Sequence, residues 1–167
     1  MKEIEHVEIA EIQSHLQRKG SGVSLDLTSM PGKPDEYLGF KGLLEEIDID
    51  RLILWFEFEM RTREQNCRVK DLLPSAMELQ RVASFIVGDS QRELTPLDLN
   101  TVQGMEIVVV TDDVKSGFLY IIDGNHRAIA QITRGKSFQG VRVFACQHSK
   151  MRNWAYIPRF YKKLWSS

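Results

Sequence analysis

The stretch Tyr120-Ile121-Ile122-Asp123-Gly124-Asn125-His126-Arg127-Ala128-Ile129-Ala130 decides how this chain is read. It opens as an apolar strand and tightens through Asp-Gly-Asn, a turn sequence. It leaves as a helix, with Ala128, Ile129 and Ile132 on the buried face and Gly135 as the stop. The first N–H groups of such a helix have no partner inside it, and the helix dipole adds partial positive charge. Asn125 is the expected cap of a helix starting near His126. Gly124 lets backbone approach a ligand closely. Arg127 supplies a donor fork suited to phosphate, and His126 a donor or proton carrier. The turn therefore reads as an anion pocket at a helix N-terminus. Asp123 would order the loop, orient His126, or bind a cation such as Mg²⁺ that bridges phosphates. The competing reading is an ordinary surface turn.

The charge distribution breaks at the same place. Asp123 is the last acidic residue. Residues 1–123 carry all 23 acids against 13 Lys and Arg, and residues 124–167 carry nine Lys and Arg with no acid. The halves are net −10 and +9, although the whole chain is only −1. Such a split points to a polarised surface and an anionic partner, unless the two segments neutralise each other on packing.

Upstream, Met105 to Thr111 is predicted as a strand buried on both faces, because Ile107-Val108-Val109-Val110 is β-branched and continuously apolar. The polar run Asp112 to Gly117 should turn it into a hairpin with Phe118 to Ile122. Downstream, Gly140 to Ala145 is predicted as a short strand, with Val141, Val143 and Ala145 on one parity. Ser75 and Glu78 form a capping-box pattern for a helix running to about Val87, which Gly88 ends. Cys67 to Leu73 reads as extended, ending at Pro74, and Leu94 to Asn100 as a connection. Arg51 to Met60 alternates as a half-buried aromatic strand. Near the N-terminus, residues 3–18 read as one helix from the spacing of Ile9, Ile12 and Leu16. Val23 to Leu27 reads as a short strand, and Tyr37 to Ile47 as either loop or short helix. The tail from Ser149 to Trp165 is predicted to be helical in part.

A length of 167 residues suits one domain with or without an elaboration, and 43% hydrophobic with 27% charged residues is ordinary for a soluble globular protein. No apolar run reaches bilayer length. The acidic start Met1 to Glu8 lacks a signal core, so a cytoplasmic protein with no membrane partner is expected. Cys67 and Cys146 are too few and too far apart for a disulfide framework and are expected to be buried thiols.

Residues from about Arg68 to Ala145 resemble the ParB/sulfiredoxin-like superfamily. The resemblance rests on the strand ending at Pro74, the helix after Ser75, the strand Glu106 to Thr111, the run "LYIIDGNHRAIAQI", Gly135 and the closing strand Val141 to Ala145. Asp123-Gly124-Asn125-His126-Arg127 is similar to the family's "DG-x-x-R" turn, which grips nucleotide phosphates. The resemblance covers roughly half the chain. It implies an α/β (α+β) fold with a small mixed sheet and flanking helices. On that basis residues 67–148 form the core, 1–66 an N-terminal elaboration, and 149–167 a basic aromatic segment packed on the core. It further implies a nucleoside triphosphate or diphosphate as ligand, with Mg²⁺ as a possible companion. Two departures stand out. Sulfiredoxins carry a catalytic Cys where Asn125 stands, which argues against sulfinic-acid reductase chemistry. Only about 20 residues follow Ala145, so the helix-turn-helix domain of partition proteins is not expected.

The expected function is therefore nucleotide binding, coupled to phosphoryl transfer or nucleotide hydrolysis. Gly124, Asn125, His126 and Arg127 would hold phosphate, and His126, Asp123 and Glu78 are the catalytic candidates. Glu78 follows the strand-ending Pro74, as a catalytic acid does in stand-alone kinase members, but is also the capping partner of Ser75 and is preferred in that role. Asp112 and Asp113 are weaker base candidates, better read as turn residues. His6, His15 and His148 have no metal-ligand spacing and read as structural or surface residues. A second expectation is nucleic-acid binding or nuclease-like action by Lys150, Arg152, Arg159, Lys162 and Lys163, which interleave with Trp154, Tyr156, Phe160, Tyr161 and Trp165. Against it stands a tail that buries its aromatics on the core while basic stems snorkel. A third is an interaction module without activity.

Overall fold

In the computed structural model, the residues described are 1–18, 25–53, 105–125, 127, 128, 131 and 136–154. The expectations for Leu54 to Met60, Cys67 to Leu73, the Ser75 helix with Glu78, and Leu94 to Asn100 lie outside them. So do His126, Gly135, and the tail from residue 155, which includes Arg159, Lys162 and Lys163.

The chain forms a mixed six-stranded sheet with one described helix of ten residues, an α+β arrangement. The strands are β1 (Lys2–Val7), β2 (Leu38–Leu43), β3 (Leu52–Ile53), β4 (Glu106–Thr111), β5 (Leu119–Asp123) and β6 (Arg142–Gln147), in the order β1-β2-β6-β4-β5-β3. Helix α1 spans Ile9–Arg18. Strand β4 is as buried as its sequence predicts: Ile107 to Val110 are all fully buried. Ile107 and Val109 enter one core cluster and Val108 and Val110 the other, so both faces are covered. The hairpin to β5 forms with antiparallel pairing. The predicted closing strand is β6, shifted two residues toward the C-terminus and paired parallel to β4.

The N-terminal reading needs correction. Residues 2–7 form an edge strand antiparallel to β2, not the first turns of a helix. The register shifts between Lys2 and Glu5, and Glu3 sits at φ 52°. Ile4 and Val7 are the least exposed side chains of the strand, three residues apart, and pack on opposite core clusters, as alternation along a strand dictates. A Lys41 Nζ–Glu5 Oε2 contact of 3.2 Å crosses the pair. The Tyr37 to Ile47 segment contains strand β2 and the start of the 3-10 turn Glu46–Asp50. Gly39 and Gly42 interrupt any alternation there, so only pairing with β1 and β6 defines the strand. Leu25 to Leu27 is not a strand. Asp26 instead accepts the Thr28 N–H at 3.0 Å and its hydroxyl at 2.6 Å, an Asx turn.

Strands from both ends of the chain thus share one sheet, β2 lying beside β6 and β3 beside β5. A half-buried arginine ties the far end of the β4–β5 hairpin to the segment before β3. Arg51 Nε donates to Gly117 O (2.8 Å), Nη1 to Lys115 O (2.7 Å) and Asp48 Oδ1 (3.0 Å), and Nη2 to Val114 O (2.8 Å). Desolvation lowers its pKa, and the nearby Asp48 carboxylate opposes that. Asp48 is itself only 1% exposed, and its other oxygen accepts the Glu45 N–H and faces the Met1 ammonium, so the buried carboxylate has two cationic partners.

Candidate functional site

Strand β5 delivers the turn through an irregularity. Val108 pairs with Asp123, yet Val109 pairs with Ile121, so β5 spends one extra residue at Ile122. Such a bulge re-aims the side chains that follow it. Gly124 comes next at φ +96°. A Cβ there would lie 2.9 Å from Ile107 Cγ2 and 3.2 Å from Glu106 O, so the turn is pressed onto the start of β4. The helical turn then begins at Asn125, and Ala128 N donates to Gly124 O at 2.8 Å. Gly124, not Asn125, therefore occupies the position before the helix. Asn125 Nδ2 reaches back to donate to Ile121 O at 3.2 Å. The glycine is accordingly required by packing against β4, where the sequence suggested room for a ligand.

Arg127 folds back onto Asp123. Its Nη2 lies 2.9 Å from Asp123 Oδ2, and the two side chains are 24% and 15% exposed. This is an i, i+4 ion pair at the mouth of the turn. Arg127 Nε is buried and has no hydrogen-bond partner among the described residues. Ala128 is fully buried beneath the turn, as its spacing predicts.

A second group of side chains sits beside the turn, and sequence reasoning did not assemble it. Glu106, whose carbonyl abuts Gly124, has its carboxylate between His15 Nε2 (3.2 Å) and Arg142 Nη1 (3.3 Å). His15 is 9% exposed and stacks on Phe144 with ring centroids 4.4 Å apart. The available signal was an acid placed first in the otherwise apolar run Glu106-Ile107-Val108-Val109-Val110. Its partners come from α1 and β6, and no local pattern links them to it.

The remaining candidates separate from this site. Asp112 and Asp113 lie past the opposite end of β4, roughly 13 Å along the strand from the level of Asp123. Asp113 is a turn residue, as expected: it accepts from Lys115 N (2.9 Å) and Ser116 Oγ (2.5 Å), and the Ser116 hydroxyl is the main reason its pKa is lowered. Arg152 Nη2 pairs with Asp112 Oδ2 at 3.0 Å. Lys150 donates its backbone N–H to His148 Nδ1 at 3.0 Å, which leaves the ring's proton on Nε2, 3.0 Å from Glu36 Oε2. His148 is 4% exposed and stacks on Tyr37, a structural role, while His6 packs edge-on against Phe40 at the periphery. In the described part of the tail, Met151 and Trp154 are buried in the core. Cys146 is fully buried, and burial pushes its thiol up to about 12, which suits an inert side chain.

Among the described residues no group of three or more His, Cys, Asp or Glu is arranged to hold a metal ion. A Mg²⁺ at Asp123 would share a carboxylate whose Oδ2 lies 2.9 Å from Arg127 Nη2. No helix among them is long and apolar enough to cross a membrane.

No protein-family model matches the chain, and no curated protein or solved structure matches it.

Proposed function

We propose that the chain is a nucleotide-binding protein of the ParB/sulfiredoxin-like type, whose 123–127 turn holds the phosphates for transfer or hydrolysis. The observation that carries this reading is the state of Arg127. Asp123 fixes one guanidinium nitrogen, while Nε is buried with no described hydrogen-bond partner. Burying a charged donor unmet is costly, and such groups in folded proteins usually answer to a ligand, water or ion. Asp123 then acts as an orienting residue: it holds the fork in place so that the other donors face an incoming phosphate. The first amides of the helical turn add partial positive charge. His126 would stabilise developing charge or carry a proton. For the base, Glu106 joins Glu78 as a candidate, because it borders the turn and its carboxylate is held by His15 and Arg142.

The test is calorimetry with a panel of nucleoside di- and triphosphates on wild type, Arg127→Ala and Asp123→Asn. A charge-assisted contact of about 1.5–3 kcal/mol corresponds to a loss of roughly 10- to 150-fold for Arg127→Ala. Asp123→Asn should weaken binding by a smaller factor, since it frees the fork without deleting it. The reading is wrong if no nucleotide binds, or if Arg127→Ala binds as wild type does. Turnover of a bound nucleotide separates an enzyme from an inactive binding module.

A further inference from the structure

A hollow of about 460 Å³ opens where the segment before β6 passes the starts of β4 and β6. Its polar lining comes from Gln131, Lys136, Ser137, Gln139 and Arg142, with Gly140 at its rim. Among the described residues no carboxylate lines it. This is the acid-free part of the chain, so the charge split in the sequence becomes a local feature here.

The walls are fixed, and of the two cations only Arg142 is engaged, through one nitrogen. Lys136 N donates to Gln131 O (3.0 Å), Gly140 N to Leu44 O (2.8 Å), Val141 N to Phe138 O (3.1 Å) and Arg142 N to Met105 O (3.2 Å). Gln131 is 6% exposed, and its Nε2 donates to Ser137 O at 2.7 Å, bracing the 136–139 bend from beneath. The donors left for a ligand are therefore side chains. Ser137 Oγ accepts the Gln139 N–H at 3.0 Å, which leaves its own O–H as a donor. Arg142 is 63% exposed, and Glu106 holds only one of its nitrogens, at 3.3 Å. Lys136 is exposed and has no ion-pair partner among the described residues. Beyond Gly140, at φ +80°, there is open space, so the rim is unobstructed there. Two cations and a hydroxyl around a concave surface, with Glu106 engaging only one nitrogen of Arg142, match a multiply charged oxyanion better than a neutral ligand.

We infer that this hollow is a second anion site, one that takes the polyphosphate group of a small molecule and does not depend on the 123–127 turn. The volume is ample for a chain of three phosphoryl groups, which fills only part of a typical ligand pocket. Lys136 and Arg142 are exposed, and Arg142 holds Glu106 through one nitrogen only, so neutral replacements should leave the fold intact.

The experiment titrates inorganic triphosphate into the whole chain at low ionic strength, read by calorimetry and by amide chemical shifts. Wild type should bind, with shifts at Ser137 and Gln139. The double variant Lys136→Gln/Arg142→Gln should lose about tenfold or more, the equivalent of one charge-assisted contact. Ser137→Ala, which keeps the charge, should lose about threefold or more, by removing a neutral hydrogen bond. Arg127→Ala should leave the triphosphate-dependent shifts at Ser137 and Gln139 unchanged, and that result separates the hollow from the turn whether or not the turn also takes triphosphate. Lys150→Gln removes one charge elsewhere and should leave triphosphate binding unchanged. The inference is overturned if triphosphate fails to bind, if the double variant binds normally, or if Lys150→Gln weakens binding as much as the double variant does. It is equally overturned if Arg127→Ala abolishes the shifts at Ser137 and Gln139, or if only an oligonucleotide binds.

Discussion

Replacing Gly124 by alanine tests the geometry on which the candidate site depends. Two separate penalties apply. A side chain at φ +96° carries a backbone cost of roughly 1–2 kcal/mol. The new methyl group would also sit 2.9 Å from Ile107 Cγ2 and 3.2 Å from the Glu106 carbonyl. Ile107 is fully buried in the middle of the sheet, so it has little room to yield, and overpacking of that kind costs about 1–3 kcal/mol. The sum is about 2–5 kcal/mol. Gly140 supplies an internal control. It has a similar φ of +80°, but nothing lies within 4 Å of its added Cβ. Gly140→Ala should therefore show the backbone penalty alone, about 1–2 kcal/mol. Urea unfolding of the three proteins, followed by circular dichroism, gives both values from the midpoints at a common slope. At this chain length, thermal midpoints should fall by roughly 4–20 °C for Gly124→Ala and roughly 2–8 °C for Gly140→Ala. Equal losses at the two positions, or a larger loss at Gly140, would refute the claim that the turn is pressed against β4. The added methyl also comes within 3.3 Å of Arg127 Nη2, so any nucleotide affinity should drop in Gly124→Ala even at temperatures where the protein stays folded.

Three further outcomes are expected. Arg51→Ala removes one of the two cationic partners of Asp48, which keeps the Met1 ammonium, and leaves three carbonyls short of donors, which should lower stability by about 2–4 kcal/mol, and Arg51→Lys should recover only part because an ammonium cannot span the fork; urea midpoints check both. Glu36 has its pKa lowered chiefly by the hydrogen bond to His148, so its contribution is present above the ordinary value of 4.5 and fades as pH falls through its folded-state value; Glu36→Gln should flatten that acid limb of stability measured between about pH 6 and pH 3. In a Cys67→Ser background, Cys146 should resist thiol reagents at neutral pH until urea opens the core, and rapid labelling of the folded protein would contradict its burial.

The turn at 123–127 was legible because its signals are local. Tyr120-Ile121-Ile122 ends in Asp-Gly-Asn, and the helical residues follow within one turn of chain. What the residues do there was less legible. The sequence presents Arg127 as a free fork and Asn125 as a cap, whereas the folded chain turns Arg127 onto Asp123 and makes Gly124 the pre-helix residue. An i, i+4 spacing allows such a pair, but nothing in the sequence says whether the arginine points outward or back. The bulge that places Asp123 is a property of two strands in register, so one strand's sequence does not contain it.

By itself the sequence determined the β4–β5 hairpin, the closing strand, the burial of Cys146 and the charge break after Asp123. Each follows from side-chain type and short-range period, which act over a few residues. Only the tertiary structure decided that residues 2–7 are a sheet edge, that the glycine-broken segment 38–43 is a strand, and that β6 lies between β2 and β4. Only it brought His15, Glu106 and Arg142 together, and only it left Lys136 and Arg142 around one hollow. The physical reason is the same in each case. Strand pairing and ion pairing between distant segments are set by which surfaces bury together, and the local pattern of a single segment fits several such partners equally well.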